Sequence, residues 1–142
     1  MKQNKGQIGQ TLVEFALIIP WVLILLLGFF DLGRAIFYYS SLSNAVREGT
    51  RYAIVNQDIS ETEIKEKILE YAFALSGTPN PLDPNQIDIT YLPTDNKIKT
   101  NISISASYTF HPVTPFIATA GITLNAQSTM RISAHAIPTP AR

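Results

Sequence analysis

The chain has 142 residues, with 11 basic and 11 acidic side chains and a formal net charge of zero. This length suits one modest domain, and the balanced charge lacks the basic excess that draws proteins to nucleic acids, so we predict no nucleic-acid partner. The absence of cysteine excludes a disulfide framework, thiol catalysis and a cysteine-ligated metal.

The first predicted element is a membrane-spanning helix. Residues 15–30 carry no charge, and residues 11–13 extend the apolar stretch to about the twenty residues needed to cross a bilayer. We therefore predict a span over residues 10–33. A cleaved secretory signal fits less well, because the apolar stretch is too long and the small residues that follow, Gly33 and Ala35, enclose an arginine.

The flanking charges predict the orientation of this span. Lys2 and Lys5 precede it, whereas Asp31 and Arg34 balance each other on its far side. The positive-inside rule then keeps the N-terminus in the cytoplasm. We expect a single-pass protein of the cytoplasmic (inner) membrane whose residues 34–142 form an extracytoplasmic domain.

One acidic residue, Glu14, stands at the start of the apolar stretch. A carboxylate near hydrocarbon is costly unless it has a partner, although a position at the cytoplasmic interface would reduce the cost. Cleavage after Gly9 would make Gln10 the first residue and Glu14 the fifth. The segment "G-QTLVE-F" resembles the processing site of type IV pilins and pseudopilins, which a prepilin peptidase cuts after glycine.

A longer similarity covers residues 6–55. The segments "GQTLVEFALIIP" and "GFFDLGRAIFYYSSLSNAVREGTRYAI" resemble the TadE-like family, the minor pilins of the tight-adherence (Tad) pilus system. The resemblance implies a cytoplasmic leader over residues 1–9 and pairing of Glu14 with the new ammonium of Gln10 on a neighbouring subunit. It implies three kinds of partner besides membrane lipid: other pilin or pseudopilin subunits, the pilus assembly platform and the prepilin peptidase.

The helical pattern continues beyond the span to residue 56. Apolar residues recur at threes and fours, which predicts a stripe that packs on the domain, formed by Ile36, Tyr39, Leu42, Val46, Gly49 and Ala53. Pro20 removes one backbone donor, so we expect a kink there. Arg47 and Arg51 lie one turn apart, either on a solvated face or at a subunit contact.

A second helix is predicted over residues 61–76. Ser60 and Glu63 form a capping box at its start, and Gly77 marks its end. The proline-rich segment "GTPNPLDPN" then predicts a loop.

Three strands are predicted within residues 86–136. Apolar and polar side chains alternate from Ile98 to Phe110 and from Ile122 to Ala134, and Ile87–Tyr91 offers a shorter strand. The connection "HPVTPFIATAG" is unusually apolar, which suggests a tucked turn or a short helix. A sheet with one apolar face needs a cover, so we predict an α+β, pilin-like fold in which the antiparallel sheet packs on the two helices.

No catalytic or metal-binding pattern accompanies these elements. The two histidines, His111 and His135, lack a metal-ligand spacing, and the chain has no nucleophile elbow or phosphate-binding loop. We expect neither enzyme activity nor a cofactor. Besides a minor pilin, two interpretations stay open: an uncleaved, membrane-anchored binding module, and the major subunit of a filament.

Overall fold

A single helix, α1, dominates the molecule. The computed structural model describes residues 5–56, 58–93, 99–114 and 121–132. Helix α1 spans Lys5–Val55, a length of about 75 Å, and it continues without interruption through Pro20. The 18-residue apolar window in its N-terminal part holds no buried residue, whereas its C-terminal half enters the domain core. The kink at Pro20 stays a prediction.

The buried stripe of α1 differs from the predicted one near the membrane. Leu42, Val46, Gly49 and Ala53 are buried as expected. Ile36 and Tyr39, however, are 58% and 48% exposed, so their assignment to the core face was wrong. The stripe instead continues toward the N-terminus through three residues spaced three and four apart, namely Tyr38, Ala35 and Asp31.

The predicted second helix is divided in two. Helix α2 spans Glu61–Tyr71 and α3 spans Phe73–Ser76, with a break at Ala72. The capping box is confirmed: the Glu63 amide donates to Ser60 Oγ at 3.3 Å, and the Ser60 amide donates to the Glu63 carboxylate at 3.2 Å.

The end of this helical pair also differs from the prediction. The Leu75 amide bonds to the Ala72 carbonyl at 2.8 Å, three residues back, which tightens the chain and separates α3 from α2. Gly77 has an ordinary φ of −91°, so it does not form a left-handed cap. The Thr78 hydroxyl donates to the Leu75 carbonyl at 2.8 Å and satisfies this orphan acceptor instead.

The sheet is antiparallel, as predicted, and its strand order is β1-β2-β3. A short 3-10 helix, Pro84–Gln86, leads into β1 (Ile87–Pro93), which is followed by β2 (Lys99–Phe110) and β3 (Ile122–Arg131). The parts of the predicted strands at residues 98 and 133–136 lie outside the described residues.

The register of the sheet places its apolar side chains on one face. Ile87 pairs with Ala106, and Phe110 pairs with Ile122. Just before β3, Gly121 has a φ of +80°, a conformation that favours glycine.

Helix α1 is the spine against which the other elements pack. It contacts α2 and α3 as well as β2 and β3. Leu42 and Val46 from α1, Ile64 and Ile68 from α2, and Ile104 from β2 are all within 1% of complete burial. The α+β fold class is therefore confirmed.

Gly49 allows α1 and α2 to approach closely. A Cβ at this position would overlap Ile68 Cγ1 and lie 2.9 Å from Ile68 Cδ1. Because Ile68 is fully buried, it has little room to move away.

Candidate assembly and anchoring site

The predicted processing residues lie on the exposed N-terminal part of α1. Gly9, Gln10 and Glu14 are all exposed, and a Cβ at Gly9 would meet nothing within 4 Å. The Gln10 side-chain amide donates to Glu14 Oε1 at 3.4 Å. This contact joins successive turns, because helical side chains lean toward the N-terminus and bring residues i and i+4 together.

The apolar part of α1 has the surface expected of a membrane anchor. It includes an 18-residue window of mean hydropathy 2.5, none of which is buried inside the chain. Trp21 and Phe15, for example, are 71% and 60% exposed. Side chains this apolar need a partner other than water, and a bilayer would provide one.

A buried carboxylate, Asp31, joins the end of this apolar part to the domain. Its side chain accepts hydrogen bonds from the backbone amide of Val113 at 2.9 Å and from that of Thr114 at 2.8 Å. The Thr114 hydroxyl donates a third bond at 2.5 Å, and Arg34 forms an ion pair with Asp31 at 3.3 Å. Asp31 is only 4% exposed and Thr114 only 2%. We call these four residues the Asp31 clamp.

Aromatic rings surround the cation of the clamp. The Arg34 guanidinium lies 5.4 Å from the ring centre of Phe110, 5.6 Å from Tyr38 and 5.9 Å from Phe30. Tyr38 in turn makes edge-on contacts with Phe110 and Tyr108, at 5.8 and 5.9 Å between ring centres. A hydrogen bond with Tyr38 and the nearby charge of Asp31 raise the pKa of Arg34, so the side chain stays cationic.

Sequence reasoning missed the role of Asp31. It treated Asp31 and Arg34 as a charge pair that only marks the end of the span. The signal was present in the buried stripe of α1, because counting back from Leu42 through Tyr38 and Ala35 leads to Asp31. The tucked turn that was expected after β2 is consistent with the buried Thr114, while residues 115–120 lie outside the described residues.

An apolar groove lies beside the Asp31 clamp. Its volume is about 410 Å³, and α1 forms one wall while the facing ends of β2 and β3 form the other. The residues that line it from α1 are Leu25, Gly28, Phe29, Asp31, Leu32 and Ala35, and those from the domain are Phe110, Pro112 and Ile122.

The two arginines predicted as a subunit contact lie elsewhere on α1. Arg47 and Arg51 are exposed on the half of the helix that lies within the domain. In the described part of the chain, neither of them forms an ion pair with Glu48. Their role at a subunit contact stays a prediction.

Metal-binding side chains do not cluster in the described part of the chain. No group of three histidine or acidic residues within residues 5–56, 58–93, 99–114 and 121–132 is arranged to hold a metal ion. His111 is exposed beside Gly121, and His135 lies outside the described residues.

These features define a class of protein in which one long helix serves as an apolar anchor and as the spine of a small α+β domain. Within this class, residues 9–51 match the family model described as TadE-like protein. The resemblance predicted from the residues is therefore confirmed over this segment, and it points to a membrane protein associated with the Tad pilus. No curated protein and no solved structure matches the chain.

Proposed function

We propose that the chain is a minor pilin or pseudopilin of TadE-like type. It is processed after Gly9, stays in the inner membrane through α1 with its N-terminus in the cytoplasm, and acts in assembly of a Tad pilus or a related secretion machine. In this role it is a substrate of the prepilin peptidase and not itself an enzyme. Its partners are other pilin or pseudopilin subunits and the assembly platform.

The position of Glu14 carries this proposal. Glu14 is exposed, and it is the one charged residue between Gly9 and Asp31 on an otherwise apolar surface. A charged side chain costs about 3 kcal/mol at the centre of a membrane helix and less near its end, where Glu14 lies, so the carboxylate still favours a state in which a cation approaches it. Cleavage after Gly9 creates such a cation at Gln10, and the ammonium of a neighbouring subunit can pair with Glu14 within the apolar interior of a filament.

The proposed cleavage point, Gly9, is accessible. It is exposed on α1, and a Cβ added there would meet nothing within 4 Å. A larger residue at this position would not disturb packing inside the chain, and we expect it to interfere with the proposed recognition by the peptidase. The TadE-like match also begins at residue 9.

The test is the mass of the N-terminal peptide after the chain is expressed with a prepilin peptidase. We expect the native chain to begin at Gln10 and Gly9→Val to keep Met1. Gly33→Val is the matched control, since Gly33 also lies on α1 and a Cβ added there would meet no atom within 4 Å. This control should be cleaved normally. A native chain that keeps Met1 while a known prepilin in the same cells is processed would refute the proposal.

A polar surface on the sheet favours a second candidate, an uncleaved membrane-anchored binding module. A groove of about 360 Å³ crosses the strands and is lined by Gln86, Asp88, Ser105, Ser107, Asn125 and Gln127 among others. Amide and hydroxyl groups of this kind can hydrogen-bond to a polysaccharide.

Glycan binding tests this second candidate. It predicts that Asn125→Ala abolishes binding of the purified chain to a glycan array, whereas Thr123→Ala, an exposed position outside the groove on the same strand, does not. It also predicts that replacing Gly9 or Glu14 leaves function intact. Loss of pilus assembly on either of those replacements would reject it.

A further inference from the structure

The apolar groove beside the Asp31 clamp has no assigned role. We propose that it binds one acyl chain of a membrane lipid, which lies between α1 and the base of the domain. This inference rests on the membrane anchoring in the proposed function, but it does not depend on cleavage or on a pilus.

The helix wall of the groove belongs to the predicted span. Leu25, Phe29 and Leu32 line the groove and fall within residues 10–33, so a bilayer that covers the span also reaches this wall. The groove is thus continuous with the lipid-facing surface of α1.

The domain wall extends the same apolar surface beyond the helix. Ile122 lines the groove and is 41% exposed, and the neighbouring Val113 is 59% exposed. The Asp31 clamp fixes Val113 next to the end of the span, because the Val113 amide bonds directly to Asp31. Lipid that enters the groove therefore removes apolar surface of the domain from water.

The carboxylate of Asp31, which lies in the groove wall, has no acceptor position left for a polar ligand. Asp31 Oδ1 accepts from Val113 and Arg34, while Oδ2 accepts from both the amide and the hydroxyl of Thr114. With each oxygen already holding two donors, the carboxylate is satisfied inside the protein. A hydrocarbon chain, which makes no hydrogen bonds, suits such a wall.

The residues that α1 contributes to the groove favour an acyl chain over a helix from a second subunit. Close helix packing in membranes uses small residues four apart. Here the small residues Gly28 and Ala35 are separated by the bulkier Phe29 and Leu32.

The test uses the full chain at one copy per lipid nanodisc, with a phospholipid that carries a photoreactive diazirine on one acyl chain. After illumination, mass spectrometry maps the lipid adducts. We expect adducts on Pro112 and Ile122, which line the groove, as well as on Leu17, which is 69% exposed on the span.

Two glycine variants separate the groove from general contact with lipid. Gly28→Phe fills the groove, whereas Gly33→Phe adds the same ring to α1 outside it, and at neither position would an added Cβ meet an atom within 4 Å. We expect Gly28→Phe to lower the adducts on Pro112 and Ile122 severalfold, because the new ring takes the place of the acyl chain in the groove. Gly33→Phe should leave them unchanged. Hydrogen exchange at the Thr114 amide in Gly28→Phe checks that the Asp31 clamp is intact. If exchange there is faster than in the native chain, the smaller substitution Gly28→Leu is used instead.

Each other outcome overturns the inference in a distinct way. Adducts on Leu17 without adducts on Pro112 or Ile122 would show that the anchor is inserted and the groove is empty of lipid. Equal adducts in both glycine variants would show general immersion of the domain base. If Ile122 loses its lipid adducts only when each nanodisc holds two copies of the chain, a second chain and not a lipid occupies the groove. Absence of adducts on Leu17 as well would refute the membrane anchoring itself.

Discussion

Replacing Asp31 by asparagine should loosen the domain from α1. Asparagine keeps the shape of the side chain but supplies one acceptor oxygen in place of two, and its NH₂ group would face donors. The native carboxylate accepts bonds from the Val113 amide, the Thr114 amide and the Thr114 hydroxyl, and it pairs with Arg34. The substitution therefore leaves about two of these donors without a partner.

The expected cost follows from this count. A hydrogen bond to a charged group contributes about 1.5–3 kcal/mol, and breaking a buried ion pair costs about 3–5 kcal/mol. Because asparagine preserves some of the contacts and Arg34 is partly exposed, we expect a loss of about 2–4 kcal/mol in the free energy of unfolding. This is a large fraction of the stability of a small domain.

The assay is denaturant unfolding of the full chain in detergent, combined with hydrogen exchange at the amides of Val113 and Thr114. Asp31→Asn should lower the unfolding midpoint and speed exchange at both amides. Glu48→Gln, an exposed acid on the same helix, is the control and should change stability by less than about 0.5 kcal/mol. Unchanged exchange and stability in Asp31→Asn would refute the clamp as a link between helix and domain.

Two further predictions concern the packing and capping of α2. Gly49→Ala should destabilise the chain by about 1–3 kcal/mol in the same unfolding assay, because the new methyl group overlaps Ile68. Gly77→Ala is the control and should not destabilise the chain, because its Cβ would meet open space. Equal effects of the two substitutions would contradict the close approach of α1 and α2. Ser60→Ala should lower the free energy of unfolding by about 1 kcal/mol, because the capping box with Glu63 is lost. Hydrogen exchange at the Glu63 amide should become faster, and unchanged exchange there would argue against the cap.

Local signals in the sequence predicted most of the fold. The alternation in Ile102–Phe110 identified a strand because a residue period of two matches the pleat of a sheet, and the structure buries that face. Ser60 and Glu63 identified a helix start because both halves of the capping box lie within one turn. The division of α2 from α3 was missed, since residues 61–76 hold no glycine or proline that would mark the break at Ala72.

Helical spacing could have placed Asp31 on the buried face of α1, but its partners in the domain could not be predicted from local signals. These donors, Val113 and Thr114, are about eighty residues away along the chain. A charged residue at the end of an apolar stretch ordinarily indicates a membrane boundary. Asp31 was therefore interpreted as such a boundary, and its contact with the domain was not predicted. For the processing motif the situation is reversed. Gly9, Gln10 and Glu14 were predicted from a short local segment that resembles a pilin processing site, and a single chain does not contain the neighbouring subunit that Glu14 is proposed to meet.

The most direct test of the proposed function is the incorporation of a Glu14→Gln chain into Tad pili. The assay compares the amount of the subunit in sheared filaments and the number of filaments per cell, with Glu48→Gln as the matched control on the same helix. We expect Glu14→Gln to be cleaved after Gly9 but to be lost from filaments or to reduce their number, while Glu48→Gln behaves as the native chain. Normal incorporation and normal filament number with Glu14→Gln would contradict the proposed pairing of Glu14 with a neighbouring subunit.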